Sequence, residues 1–468
     1  MAPMSDLAQR LADPSSLILP EHPTFQRQAA RWREWHGPSL SAIARPTTEA
    51  DVQEIVRFAN EHGIPFVARS GGHGATEALL DVEDGIQIDL RGMNSVEVSA
   101  DGMSARVGGG TNVKDLVNGL EKAGKRTVTG ICELVGVSAV MLGGGHGWLQ
   151  GQHGLPVDQV LSARLVVPSG DVVEASPESN PDLFWAIKGA GHNFGIVTEW
   201  NLRTYDLKDT KWSYEVFVFS GEKLEPLYTL TNEMMKTQPP ELTHWTYIIS
   251  PAEIKPEHPL IWYAIVYDGP VDKAREYTRP IHDIGPMMVN AGVADTHELA
   301  EITFQGENSP GCAYGLTSVR YPIGLKSYNI DALRKVYDDI DETFKRVPEL
   351  SGSFFLLEGY SSQGVRAIDE ETSVFPHRDD NLLVTSYIQY KPDSKIDPLA
   401  QEFGLRLRNY LLAGSDDPAH LRAYVNYAHG TESLSEVYGW NEERLTRLKS
   451  LKAEWDPENK MRFYMPIS

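Results

Sequence analysis

Residues 66–75 read FVARSGGHGA, an apolar run that breaks into three glycines with a histidine among them. Val67 and Ala68 suit the end of a buried strand, and Gly71, Gly72 and Gly74 free the backbone for turns that a side chain forbids. Such a loop either brings N–H groups close to a phosphate or is a surface turn whose histidine is merely solvated. Upstream, in TTEADVQEIVRFANEHG, Val52, Ile55, Val56 and Ala59 recur at helical spacing, with Thr47 or Thr48 as cap and Gly63 as stop. Downstream, IQIDL (86–90) alternates as a strand, and VEVSADGMSARVG turns at Asp101-Gly102. TNVKDLVNGLEKAG then predicts a helix capped by Thr111, with Val113, Leu116, Val117 and Leu120 as its buried stripe. The stretch is α+β.

This rhythm continues through a hairpin in ARLVVPSGDVVEAS, a helix in NPDLFWAIKGAG opened by Asn180 and Pro181, and a strand ending near Tyr205. After DLKDTK (206–211) come aromatic strands such as WSYEVFVF, HWTYIIS and LIWYAIVYDG, alternating with helices such as KLEPLYTLTNEMMKTQ. Their aromatic residues read as half-buried sheet rather than as a binding platform. The chain's 468 residues suffice for two or three domains, and 43 Lys+Arg against 65 Asp+Glu give a net charge of −22. That surface repels nucleic acid and anionic membranes. Two cysteines, Cys132 and Cys312, make no disulfide framework. The start MAPMSDLAQRLADPSS has no apolar core behind a basic end, so a soluble, cytoplasmic protein is expected.

Two further glycine clusters carry the chemistry. In GICELVGVSAVMLGGGHGWLQGQHGLPVDQV (130–160), Gly143, Gly144, Gly145 and Gly147 are positioned to bare successive N–H groups, and Gly136 permits close packing of a flat ligand. The third is KGAGHNFGIVTEW (188–200). None has the spacing of a dinucleotide fingerprint or of a triphosphate loop ending in Gly-Lys-Ser/Thr. Taken in order, RPTTEADVQEIVRFA, RSGGHG, CELVGV, GGGHG, DLFWAIKGAGHNFGIVT, SVFPHRDD, YVNY and WDPENKMRF span most of the chain. This series resembles the berberine-bridge-enzyme-like branch of the vanillyl-alcohol-oxidase superfamily of FAD-linked oxidases.

The resemblance implies an α+β fold of two domains: a PCMH-type FAD-binding domain over residues 1–206 and a substrate domain of antiparallel sheet covered by helices over 207–410. A segment over 411–468 returns to the first domain. It implies FAD joined covalently through His73 and, in members with two linkages, through the cysteine that Cys132 matches. Cys312 lacks such flanks and reads as a small buried hydrophobe. By the same resemblance, Arg69, Ser70, Gly71, Gly72 and Gly74, together with Gly143, Gly144, Gly145, His146 and Gly147, meet the pyrophosphate and ring edge. Val135, Gly136 and Val137 flank the ring, and Val137 gates oxygen. Asn193, Gly195, Ile196 and Val197 line the ring and ribityl chain, and Asn459 joins the cofactor residues; His146 and His192 stand where other residue types are usual. No metal is implied.

The implied reaction is hydride removal from a small organic substrate, an alkaloid, hydroxylated heterocycle or secondary-metabolite intermediate, to FAD, with molecular oxygen as acceptor and H2O2 as product. Tyr424, followed by Asn426 in YVNY, matches a tyrosine that takes the substrate's hydroxyl proton; a free phenol titrates near pH ~10, so the role needs a stabilising neighbour, and otherwise Tyr424 is an ordinary strand residue. Glu358 in FFLLEGYSS is costly in an apolar strand unless it is paired with a cation or acts as base. His377 and Arg378 either pair with Asp379 or orient the site. Alternatives within the fold are a redox-neutral cyclisation, a carbohydrate oxidase or a flavin-carrying binding protein, in a monomer or homodimer.

Overall fold

The strand Phe66–Arg69 that feeds the first glycine loop is the edge of a four-stranded sheet, beside Gly85–Asp89, then Leu40–Ala44, then Leu17–Ile18. The computed structural model describes residues 2–34, 37–208, 211–254 and 256–467. The first three of these strands run parallel, and helix Glu49–His62 makes the crossover. Its start is a capping box, in which the Thr48 hydroxyl accepts from Asp51 N–H while the Asp51 carboxylate accepts from Thr48 N–H. Its end is Gly63 at φ 63°, as the sequence predicts. Gly85–Asp89 departs from the expected alternation: all five residues are buried, as befits a parallel strand covered on both faces.

A five-stranded antiparallel sheet follows, ordered Val96–Val98, Ser104–Gly108, Ile196–Arg203, Val160–Val166, Val172–Ala175. Both predicted hairpins are present, with Gly102 at φ 68° and Gly170 at φ 89° in their turns. Helix Val113–Glu121 is capped by Asn112, whose Oδ1 accepts from Asp115 N–H at 2.7 Å. Thr111 is instead buried with its hydroxyl on the Ser95 carbonyl. Asn180 precedes its helix with φ 51° and gives its amide to the Glu174 carbonyl rather than capping.

The second part of the chain forms a seven-stranded antiparallel sheet. Its order is Met288–Ala294, Trp212–Ser220, Leu260–Tyr267, Leu242–Ile249, Phe354–Tyr360, Leu382–Tyr390, Thr317–Leu325. Alternation sends Phe217, Ile248, Tyr263, Leu357 and Val384 into one core with Leu227, Leu333, Val336 and Phe403 of the covering helices. The other face presents Trp245, Tyr247, Trp262, Leu356 and Tyr360, packed with Trp148 and Leu149 from the first part. Helix Asp397–Ala413 runs past the residue-410 boundary read from the sequence, because its buried residues through Leu411 belong to the sheet's helical layer. Among the described residues no helix is long and apolar enough to cross a membrane.

The chain then returns to the first part. Lys452 Nζ is buried and donates to the Asp456 carboxylate at 2.6 Å and to the carbonyls of Asn193 and Met461 at 3.0 and 3.1 Å. Breaking a buried pair from one side leaves an uncompensated charge, so Lys452→Met is expected to lower stability by about 3–5 kcal/mol. Denaturant unfolding of the full chain measures it.

Candidate active site

The two glycine loops meet backbone to backbone. A Cβ on Gly71 would lie 2.5 Å from Gly136 N and 2.8 Å from Leu134 O, so neither loop leaves room for a side chain there. Glu133 fixes the Cys132 loop from the other side. Its N–H donates to the Gln305 carbonyl at 3.0 Å, and its carboxylate accepts from Glu307 N–H at 3.0 Å and from His297. His73 and Cys132 consequently face one cavity of about 1020 Å³, whose wall also holds Val135, His146, Glu358, Tyr424 and Asn426. A second cleft of about 720 Å³ runs along Arg69–Gly72 and shares His73, Gly74, Ala139, His192 and Tyr464 with the first. The two form one elongated channel, narrow and glycine-walled at one end and aromatic at the other.

Both ring nitrogens of His73 are buried without a hydrogen-bond partner. Burial, and secondarily the Arg320 charge, bring its pKa down to about 4, so the ring is neutral and keeps a free lone pair at neutral pH. Cys132 Sγ lies 3.3 Å from Cys312 Sγ. Cys312, expected as an isolated buried hydrophobe, is buried but meets the other thiol, and this contact lowers the Cys132 pKa against the opposing effect of burial. A neutral imidazole and a thiol facing one cavity would suit a flavin ring with two attachment points.

Glu358 sits on the sheet face opposite the helices, paired in register with Trp245. It has no cation partner among the described residues; Tyr360 and Tyr427 hydroxyls donate to its carboxylate at 2.6 and 3.0 Å. Burial outweighs those two donors and pushes its pKa up to about 7. Tyr424 lies outside any strand, before a turn, and accepts from Asn426 Nδ2 at 2.8 Å. Burial raises its phenol far above the ordinary value despite that hydrogen bond. Asn426 Oδ1 in turn accepts from His192 Nε2 at 3.1 Å, and His146 stacks on Tyr360 with its Nδ1 on Gln150. Burial lowers both histidines to about 4.

Several expected contacts fall elsewhere. Gly143, Gly144 and Gly147 leave space for Asn426, Phe375 and the Thr129 carbonyl, and Gly145 for Pro156; of this run His146 alone lines the cavity. The Gly144 and Gly147 N–H groups are spent on Met141 O and Gln150 Oε1, not on an anion. Val137 is fully buried in the core, whereas Val135 is on the cavity wall. Of residues 193–197 only Gly195 lines the channel, while Asn193 holds the returning segment through Met465 O and Ile467 N. Asn459, at φ 50°, shapes the turn before Met461, Phe463 and Tyr464, which form the channel wall in its place. Arg378 pairs with Asp158 at 2.7 Å, not Asp379, and His377 bonds the Val437 carbonyl. The sequence reading missed Trp32, Arg320, Tyr360, Tyr387 and Tyr427 on the cavity wall. For Tyr360 strand alternation was the available signal, since it shares one face with Trp245 and Glu358, and part of the aromatic set is a platform after all.

A channel with these ends suits a flavin-dependent oxidoreductase. Residues 40–176 match the family model for an FAD binding domain, and residues 423–468 match that described as berberine and berberine like. The chain is 37% identical to the FAD-linked oxidoreductase chyH of Penicillium rubens, covering 100% of this chain and 94% of the relative. It is 36% identical to the FAD-linked oxidoreductase chry5 of Gibberella zeae, covering 99% and 94%. The solved 6-hydroxy-D-nicotine oxidase of Arthrobacter nicotinovorans aligns with a TM-score of 0.81 at 26% identity over 97% of each chain. The chain belongs to the berberine-like family of FAD-linked oxidoreductases.

Gly71→Ala forces the two loops apart. The purified variant is expected to carry much less flavin per chain than the wild type, read from the ratio of visible to 280 nm absorbance, with the far-UV dichroism of the sheets retained.

Proposed function

We propose that the enzyme oxidises a small organic molecule by taking a hydride from carbon while Glu358 takes the accompanying proton from a hydroxyl or amine. A buried carboxyl poised near pH 7 on the cavity wall is the observation that carries this reading. FAD, when bound, supplies the hydride acceptor and passes the two electrons to molecular oxygen, giving H2O2. His73 and Cys132 would hold its ring covalently, and Arg69–Gly72 its extended part. The tyrosines at 360 and 427 steady the Glu358 carboxylate, and the aromatic wall excludes water from the reacting carbon. Tyr424, whose phenol is too weakly acidic to ionise readily, positions the substrate oxygen with Asn426 rather than acting as base. An alkaloid, hydroxylated heterocycle or secondary-metabolite intermediate fits a cavity of this aromatic character, and the likeness to a solved 6-hydroxy-D-nicotine oxidase supports that range. The three-part division of the chain belongs to the same reading, with its second boundary moved to the helix end at Ala413.

Three outcomes test it. Acid-precipitated protein stays yellow, and peptide mass mapping finds one flavin on both the His73 and Cys132 peptides; free FAD in the supernatant contradicts the tethering. The base form of Glu358 is populated above its raised pKa, so the rate of anaerobic flavin reduction rises with pH through about 7 and then levels. Glu358→Gln abolishes that rise and slows reduction by about 10²–10⁴-fold, the usual worth of a positioned base, with Tyr424→Phe less affected. The reverse ranking of the two variants returns the base role to Tyr424. Oxygen access is read by stopped flow: Val135→Leu slows reoxidation, whereas Val137→Leu overpacks the core and lowers stability by about 1–3 kcal/mol.

A further inference from the structure

Arg320 is the one arginine or lysine on the wall of the aromatic cavity among the described residues. It stands on strand Thr317–Leu325 directly opposite Tyr387 and is 6% exposed. Its Nη2 reaches the carbonyls of Asn426 at 3.2 Å and His73 at 3.5 Å, and its Nε is buried with no acceptor. Three ring faces surround the guanidinium carbon, with centroids at 5.4 Å for Trp32, 5.7 Å for Tyr387 and 5.1 Å for Tyr427. Burial opposes its charge, and the phenols of Tyr387, which also bonds it, Tyr464 and Tyr427 favour it. Two other buried arginines do carry carboxylates, Arg378 on Asp158 at 2.7 Å and Arg408 on Glu432 at 2.7 Å, whereas Arg31, away from the aromatic cavity, is held by the Gln87 amide oxygen at 3.1 Å.

A buried cation enclosed by rings and lacking a carboxylate invites an anion from outside the chain. The phosphates of a dinucleotide are not that anion, because Arg320 lines the aromatic cavity and is absent from the glycine-walled cleft. The oxidised flavin ring is uncharged and leaves the guanidinium uncompensated. We infer that Arg320 receives an anionic oxygen of the substrate, a carboxylate or ionised enol or phenol on a planar conjugated frame, and so restricts the enzyme to acidic aromatic or conjugated molecules. The flat frame lies against the same rings that flank the guanidinium, and its oxygen pairs with the N–H groups that the backbone leaves free. This placement rests on the reading of the cavity as the substrate site.

The test uses the holoenzyme with benzoate and its neutral counterpart benzamide as probes, titrated by the flavin difference spectrum and independently by tryptophan fluorescence, since Trp32 touches the guanidinium. Benzoate is expected to bind the wild type more tightly than benzamide. Arg320→Gln should weaken benzoate by about 10- to 100-fold, the worth of one charge-assisted hydrogen bond, and leave benzamide unchanged. Arg320→Lys should restore part of the benzoate affinity. Equal binding of the two probes to the wild type, no benzoate binding at millimolar concentration, or equal loss of both probes in the glutamine variant overturns the inference. A shifted flavin spectrum with benzoate affinity unchanged also overturns it and assigns the cation to the cofactor. The titrations need no turnover, so failure of the Glu358 experiments leaves them interpretable, and failure here leaves the hydride chemistry standing.

Discussion

Everything at the site depends on the contact between the backbones at Gly71 and Gly136. Two loops separated by more than sixty residues approach so closely that no Cβ fits between them, and this fixes how far His73 stands from Cys132. A side chain at Gly71 would meet backbone atoms only, and one at Gly136 would meet Ser70 Cβ and Gly71 N as well as the Ser70 hydroxyl, so rotamer changes alone relieve neither. The clamp of Glu133 on Gln305 and Glu307 then ties the same loop to the second part of the chain. The cavity wall at Cys132 is therefore held by two attachments, one to each part of the chain.

The seven-stranded sheet contributes through its period of two. Apolar residues facing the helices hold it in register, and that register delivers Trp245, Glu358, Tyr360, Arg320 and Tyr387 to the opposite face. One acid and one base are buried there among rings, each denied an ionic partner. In water either would be unremarkable. In this enclosure the carboxyl is held near half-protonation at neutral pH, while the guanidinium remains charged and is steadied by ring faces, carbonyl oxygens and the Tyr387 hydroxyl.

The sequence was informative where chemistry is local. The capping box at Thr48, the stop at Gly63 and both hairpin glycines follow from a few adjacent residues, and they stand where local rules put them. The motif series located His73 and Cys132 for the same reason, since glycine loops are short and distinctive. Glycine content alone misled over Gly143–Gly147: a bare N–H and a glycine that merely makes room for Asn426 or Phe375 look identical in one dimension. Arg320, Tyr387 and the Cys312 contact depend on strand order in a sheet whose neighbours are far apart in the chain, and no local pattern encodes that order. Asn459 shows the smaller error of naming a turn residue when its neighbours form the wall.

The channel wall at Met461, Phe463 and Tyr464 has a consequence in time. Tyr464 packs over Gly74, and Asn193 grips the backbone at Met465 and Ile467, so one side of the cleft is built from residues 66–79 and the other from residues 461–464. Contacts of such long sequence separation form late, because loop closure must precede any gain from them. A nascent chain therefore has the glycine loop long before it has a cleft. A cofactor bound across the cleft needs both segments in place, so its binding energy falls on the folded state that joins them.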